Sequence, residues 1–193
     1  MPRVGAEPIR KAALIDATIA CVGEARSLEV TVAQIAKRAG MSSALAHHYF
    51  GSKDQIFLAA MQHILATYGQ EVRGALRGKT DPEERLRAIV RGNFAEASFQ
   101  QATISAWLNF YVLAQKNANA RRLLSIYQRR LRSNLLFALR PLVGAHALAV
   151  AEGLGALIDG VYIRAALVDG PADPKRAVGI IMEYLDRELE GHR

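Results

Sequence analysis

Between Thr31 and Lys53 the chain carries two helix starts and one helix stop in quick succession, in the stretch TVAQIAKRAGMSSALAHHYFGSK. Thr31 can cap a helix, and Gln34, three residues on, can reach back to close a capping box. Val32, Ile35, Ala36 and Ala39 then recur at helical spacing on one face. Gly40 stands where a helix end calls for a left-handed residue, which glycine adopts without a steric penalty. Ser42 can cap a second helix, whose first turns offer small or polar groups: Ser43, Ala44, Ala46, His47 and His48. Two short helices joined by a tight turn make a helix-turn-helix, whose second helix enters the DNA major groove with its N-terminal residues toward the base edges. A purely structural helical hairpin is the competing reading of the same spacing.

The bulk of the chain is compatible with DNA binding without requiring it. Across 193 residues, 25 Lys and Arg face 18 Asp and Glu, a formal charge of +7 that favours an anionic partner. The excess is not concentrated in the hairpin region, so charge alone does not locate the partner. One cysteine, Cys21, excludes an intramolecular disulfide framework. It shares a helical face with Leu14, Ile15, Thr18 and Val22, which predicts a core thiol in preference to a redox sensor. No apolar leader resembles a signal peptide. The most apolar run, Leu142 to Val168, is interrupted by His146, Glu152, Asp159 and Arg164, which argues against a membrane span. A soluble cytoplasmic protein is expected.

Periodicity predicts helices throughout and no strand. The first runs from about Pro8 to Gly23, and Arg3, Arg10 and Lys11 beside it are candidate phosphate contacts. A long helix runs from Lys53 to about Leu76. Asp81 caps the next, with Pro82 at its first position. Leu86, Ile89, Val90, Asn93, Phe94 and Ala97 share one face of it. The amide of Asn93 on that apolar stripe must bond to backbone or reach into a cavity. From Gln101 to about Lys116, Ile104, Trp107, Leu108 and Tyr111 line up, with Phe110 adjoining. Three aromatics within five residues suit either core packing or a box for a quaternary ammonium group, which aromatic faces attract by ~0.5–2 kcal/mol per contact. Ala118 to Leu139 is basic on one side, and Pro141 and Gly144 are expected to end it. Ala145 to Asp169 is apolar on nearly every side, so it needs cover that this chain has little material to supply. A last helix begins at Pro174 behind the Asp173 cap, and a second copy of helices 145–169 and 173–189 would complete a four-helix dimer interface.

A-x-x-AGMS ending at Ser42, HHYF ending at Phe50 and SKDQIF from Ser52 together resemble the DNA-binding signature of TetR-type transcriptional repressors. The resemblance implies an all-α fold of about nine helices, with a helix-turn-helix head over residues 1–53 and a ligand-binding and dimerisation domain over 54–193. It implies DNA contacts at Thr31, Ser42, Ser43, Ala44, Leu45, His47, His48 and Lys53. His47 stands where the family usually has tyrosine. It also implies a homodimer whose two heads lie roughly 34–36 Å apart on a palindromic operator. LIDGVYIR, from Leu157, is a common pattern of the family's second domain, so Asp159 reads as a helix or dimer contact and not a catalytic acid.

IRKAALIDATI from Ile9, GNF from Gly92, AWLNF from Ala106, RRLRSNL from Arg129 and AEGLGALIDGVYIRAAL from Ala151 are similar to the choline-responsive repressors of glycine betaine synthesis within that family. Choline is then the implied effector. Asn93, Phe94, Trp107, Phe110 and Tyr111 are the candidate ligand residues, with Glu96 as a candidate counter-charge. A repressor answering to varied cationic drugs is the alternative. An enzyme is disfavoured, since the chain has no nucleophile–base set, no HExxH, no glycine-rich phosphate loop and no clustered carboxylates. No cofactor and no metal site are expected.

Overall fold

The computed structural model describes residues 6–96, 98–168 and 170–191. Among them the secondary structure is entirely helical, with nine α-helices and one 3-10 turn. The helices are α1 (Ala6–Ala25), α2 (Val32–Arg38), α3 (Ser43–Phe50), α4 (Lys53–Leu76), α5 (Pro82–Asn93), α6 (Gln101–Lys116), α7 (Ala118–Val143), α8 (Ala147–Leu167) and α9 (Pro174–Glu190). Arg3 lies outside the described residues.

Most boundaries fall where the capping residues placed them. Asp81 accepts from the Glu84 N–H at the start of α5, and Asp173 from the Arg176 N–H at the start of α9. Two boundaries differ. α5 stops at Asn93 and Phe94 is its C-cap, so Phe94 does not continue the helical face expected for it, and Ala97 lies outside the described residues. Pro141 lies inside α7, which runs on to Val143. A proline one turn from a helix end removes a single backbone donor and leaves the rest of the helix intact. The 3-10 turn Gly144–His146 then separates α7 from α8.

The chain divides into two compact units. The first runs up to Ile64 and includes Ala102–Leu123. Its core contains Leu14, Ile35, Ala36, Ile56, Phe57, Met61, Ile104 and Phe110, all at most 2% exposed. Within this unit α1 and α6 approach closely: a Cβ built on Gly23 would lie 2.5 Å from the Ala102 Cα and 2.9 Å from its carbonyl oxygen. Cys21 is half-buried, and burial raises its thiol above the ordinary range.

The second unit comprises Leu65–Gln101 and the chain from Leu124 on. Leu86, Ile89, Val90, Leu135, Leu139, Leu154, Ile158, Ile181 and Leu185 form its core. Polar bonds tie its helices together. Arg87 of α5 pairs with Glu83 at 2.8 Å and with Asp186 of α9 at 2.5 Å. The Tyr127 hydroxyl of α7 donates to Asp159 of α8 at 3.2 Å, so Asp159 is a helix-to-helix contact. Leu148, Ile163, Leu167, Val168 and Ile180 remain exposed on or next to α8 and α9. The segment Ala118–Leu167 holds a window apolar enough to cross a membrane, yet only 33% of that window is buried. The isolated chain therefore leaves a large apolar face without cover.

Gly23→Ala is expected to destabilise the first unit by about 1–3 kcal/mol, because the added methyl meets backbone and cannot be absorbed by a side-chain rotation. Urea unfolding monitored by circular dichroism checks this.

Candidate nucleic-acid interface and ligand-binding residues

The helix-turn-helix is built by local chemistry. Thr31 Oγ1 accepts from the Gln34 N–H at 3.2 Å, while Gln34 Oε1 accepts from the Thr31 N–H at 2.7 Å. The capping box is therefore complete, and Thr31 is committed to holding the start of α2. At the other end Met41 N–H donates to the Ala36 carbonyl at 2.9 Å and Gly40 N–H to the Lys37 carbonyl at 3.1 Å. That pair of bonds is a Schellman motif, and it places Gly40 at φ +68°. Ser42 then caps α3 by accepting from the Leu45 N–H at 3.2 Å.

These bonds set which side chains α3 presents. Ser42, Ala44, His47 and His48 are exposed, Ser43 and Leu45 are half-buried, and Ala46 is fully buried. His47 Nδ1 lies 2.9 Å from the Gly51 carbonyl oxygen and donates to it. In a neutral ring that leaves Nε2 an acceptor, so only the imidazolium offers an outward N–H to a phosphate. Tyr49 and Phe50 are half-buried. The Tyr49 hydroxyl accepts from Arg10 at 3.4 Å, and Lys11 sits 5.9 Å from the Tyr49 ring centroid. The Lys53 ammonium lies 5.4 Å from the Phe57 ring centroid, so its stem is steered while its charge stays at the surface. Arg10 and Lys53 thus stand around α3 as cations within the first unit, and Lys11 beside them is paired with Glu7 at 2.7 Å. A short helix with small side chains at its capped N-terminus, flanked by such cations, can enter a major groove and neutralise the phosphates beside it.

The nominated ligand residues fall in both units. In the first, Trp107 and Phe110 are buried and Tyr111 is half-buried; the Trp107 and Tyr111 rings meet edge to face at 5.8 Å. In the second, Asn93 is 1% exposed and its Nδ2 donates to the Ile89 carbonyl at 2.8 Å, whereas its Oδ1 is buried with no hydrogen bond. Phe94 stacks on Tyr162 at 5.5 Å and meets Phe99 edge-on at 5.1 Å, while Phe99 and Tyr162 meet at 5.0 Å. The Tyr162 hydroxyl donates to the Asn93 carbonyl, which ties α8 to the end of α5. Glu96 is exposed on the loop after α5. The carboxylate bonded to this loop is Glu71 of α4, which accepts from Ser98. Sequence reasoning missed Phe99, Tyr162 and Glu71. Only the aromatic side chains of Phe99 and Tyr162 were visible beforehand, because their pairing joins positions far apart in the chain. Tyr68 and Tyr127 form a further edge-to-face pair at 5.3 Å, and burial pushes the Tyr68 phenol well above its usual range.

Two family models match this chain. One describes bacterial regulatory proteins of the tetR family and covers residues 14–60; the other describes the C-terminal region of BetI-type transcriptional repressors and covers residues 82–190. The HTH-type transcriptional regulator BetI of Brucella suis is 50% identical over 192 residues, spanning 99% of this chain and 97% of its own. The chain belongs to the BetI-type transcriptional repressors of the TetR family. BetI-type proteins are DNA-binding regulators and not enzymes, which agrees with the absence of a catalytic set in the sequence. Among solved structures, a transcriptional regulator from Pseudomonas aeruginosa PAO1 is similar at TM-score 0.80 and 26% identity, over 95% of this chain and 92% of that one. A regulator from Saccharomonospora viridis, solved in complex with choline, shares the fold at TM-score 0.81 and 20% identity, over 93% and 96% of the two chains.

Lys53→Ala is expected to weaken DNA binding about equally across sequences and to lower the slope of log affinity against log salt by about one, the mark of one lost phosphate contact. Anisotropy titrations at several salt concentrations measure both.

Proposed function

We propose that this BetI-type repressor controls genes for choline uptake and for oxidation of choline to glycine betaine, and that choline relieves the repression. The observation that carries the reading is that the likeness to BetI regulators extends along 99% of the chain, through the ligand-side helices as well as the head. Trp107, Phe110 and Tyr111 in the first unit are one set of residues nominated to receive the trimethylammonium group, and Asn93 and Phe94 in the second unit are a separate set. Exposed Glu96 adds negative charge that attracts a cation. Aromatic faces suit this task because the ring quadrupole attracts a cation too diffuse to be held by hydrogen bonds.

The repressor acts in the cytoplasm as a homodimer on a palindromic operator. Support for the dimer comes from the uncovered apolar face of α8 and α9. A Cβ on Gly155, Gly160 or Gly179 would meet nothing within 4 Å, so another helix can approach closely there. A second copy covers this face better than a membrane would, since α8 carries Glu152, Asp159 and Arg164. Choline relieves repression only if it binds the non-operator geometry better than the operator geometry. A tenfold loss of operator affinity needs ~1.4 kcal/mol of such coupling.

Two outcomes follow. Anisotropy of labelled DNA from upstream of the protein's own gene, at fixed salt, is expected to show tight binding that millimolar choline weakens at least tenfold. Trp107→Phe, which keeps a ring of weaker quadrupole, should keep DNA binding and blunt the choline response several-fold. An unchanged response removes Trp107 from the site, and release by large aromatic cations in place of choline identifies a multidrug sensor. Sedimentation at micromolar concentration is expected to give the dimer mass, and a monomer there refutes the proposed interface.

A further inference from the structure

His47 is exposed in the last turn of α3, yet its ring is not free to turn. It is tied to Gly51 from both sides. The Gly51 N–H donates to the His47 carbonyl at 2.7 Å, and His47 Nδ1 lies 2.9 Å from the Gly51 carbonyl oxygen. A carbonyl only accepts, so Nδ1 carries the proton in every state that keeps this bond. Gly51 stands at φ +76°, a conformation that favours glycine, so the turn itself holds that carbonyl in place.

The state of Nε2 follows. In the neutral ring it offers a lone pair, which gives nothing to a DNA phosphate that is itself an acceptor. One added proton turns the same atom, at the same place, into a charged donor. Histidine ordinarily makes that change between roughly pH 5 and 8. His48 is under no such constraint. Its ring lies 5.5 Å from that of Tyr49, and among the described residues no hydrogen bond fixes either of its nitrogens, so a neutral His48 can still turn an N–H outward.

The elements beside α3 bring their own charges. Lys37 and Arg38 end α2, Lys53 and Asp54 begin α4, and Glu7, Arg10 and Lys11 lie on α1. Arg38 pairs with Glu24, Lys11 with Glu7 and Arg10 with the Tyr49 hydroxyl, while Lys53 lies over the Phe57 ring. The Glu7 carboxylate also interacts with His48. Among the described residues the one hydrogen bond of the His47 ring is that to Gly51, so an Nε2–H is left to find its acceptor outside the protein.

We infer that His47 makes DNA binding proton-linked: the imidazolium donates its Nε2–H to a backbone phosphate, and the neutral ring does not. The inference rests on α3 being the helix that faces DNA and is independent of choline. Its sign follows from linkage. The complex holds more protons than the free protein, so affinity is highest at the acid end of the histidine range and falls as pH rises through it.

Anisotropy titrations of the full-length protein without choline, from about pH 5.5 to about pH 8.5, test this. Ionic strength is held constant, because salt alone shifts an affinity dominated by phosphates. Wild-type affinity is expected to fall about tenfold across the range, as loss of one charge-assisted phosphate bond requires. His47→Tyr, whose phenol keeps its O–H up to about pH 10, and His47→Gln, which does not titrate, should each flatten the profile with an unchanged circular dichroism spectrum. His48→Gln and His63→Gln should keep the slope; His63 is the second control because it stands 4.0 Å from Asp16 in the same unit. Isothermal titration in buffers of different ionisation enthalpy reads the proton directly, and wild type should take up more protons on binding than His47→Gln. A flat wild-type profile, or a slope that survives in both His47 variants, overturns the inference. A phosphate contact carries no sequence information, so a duplex of any sequence shows the slope. Failure of choline to release DNA would leave that slope unmoved, so the two proposals fail separately.

Discussion

The geometry of the reading helix rests on a few backbone bonds at one turn. Met41 and Gly40 close the end of α2 on the carbonyls of Ala36 and Lys37, and Ser42 opens α3 two residues past Gly40. Helix ends leave backbone donors and acceptors without intrahelical partners, and here those groups are satisfied within the hairpin itself. The angle between α2 and α3 is therefore set locally. Buried Ala46 anchors α3 to its unit, and its exposed side chains are left to meet DNA.

The two units handle charge differently. Around α3, Arg10 is held by a tyrosine hydroxyl and Lys53 by a ring face, so they are steered without an acidic partner, while Lys11 is paired with Glu7 at 2.7 Å. In the second unit the strongest ionic contact, Arg87 with Glu83 and Asp186, is spent on joining α5 to α9. α7 itself contains no acidic residue, and its Arg132 pairs with Glu152 of α8 at 3.7 Å. A net charge of +7 is thus a sum of unlike parts, and its sign alone says little about where DNA lies.

Aromatic residues show the limit of spacing arguments. Trp107 and Tyr111 are one helical turn apart, and their contact is legible from the sequence. Phe94, Phe99 and Tyr162 form an equally close group, but it requires α8 to pack beside the end of α5. No periodicity connects residues 94 and 162. The same holds for Glu71, which reaches the loop after α5 only through Ser98, whereas the nearby Glu96 points to solvent.

Local signals in the sequence determined the helical class and the capping of α2, α3, α5 and α9, because each depends on residues within one or two turns of one another, whereas the face α3 presents needed the structure: Ala46, expected among the groups it offers, is buried. The extent of α7 past Pro141 needed the structure, since a proline's effect depends on how near the helix end it falls. Tertiary packing alone decided that Gly23 is a contact point and that Asp159 takes a hydroxyl from Tyr127 of α7. Those features arise from atoms tens of residues apart, brought together by the burial of apolar faces, which fixes which helices meet without leaving a mark in the spacing of any one of them.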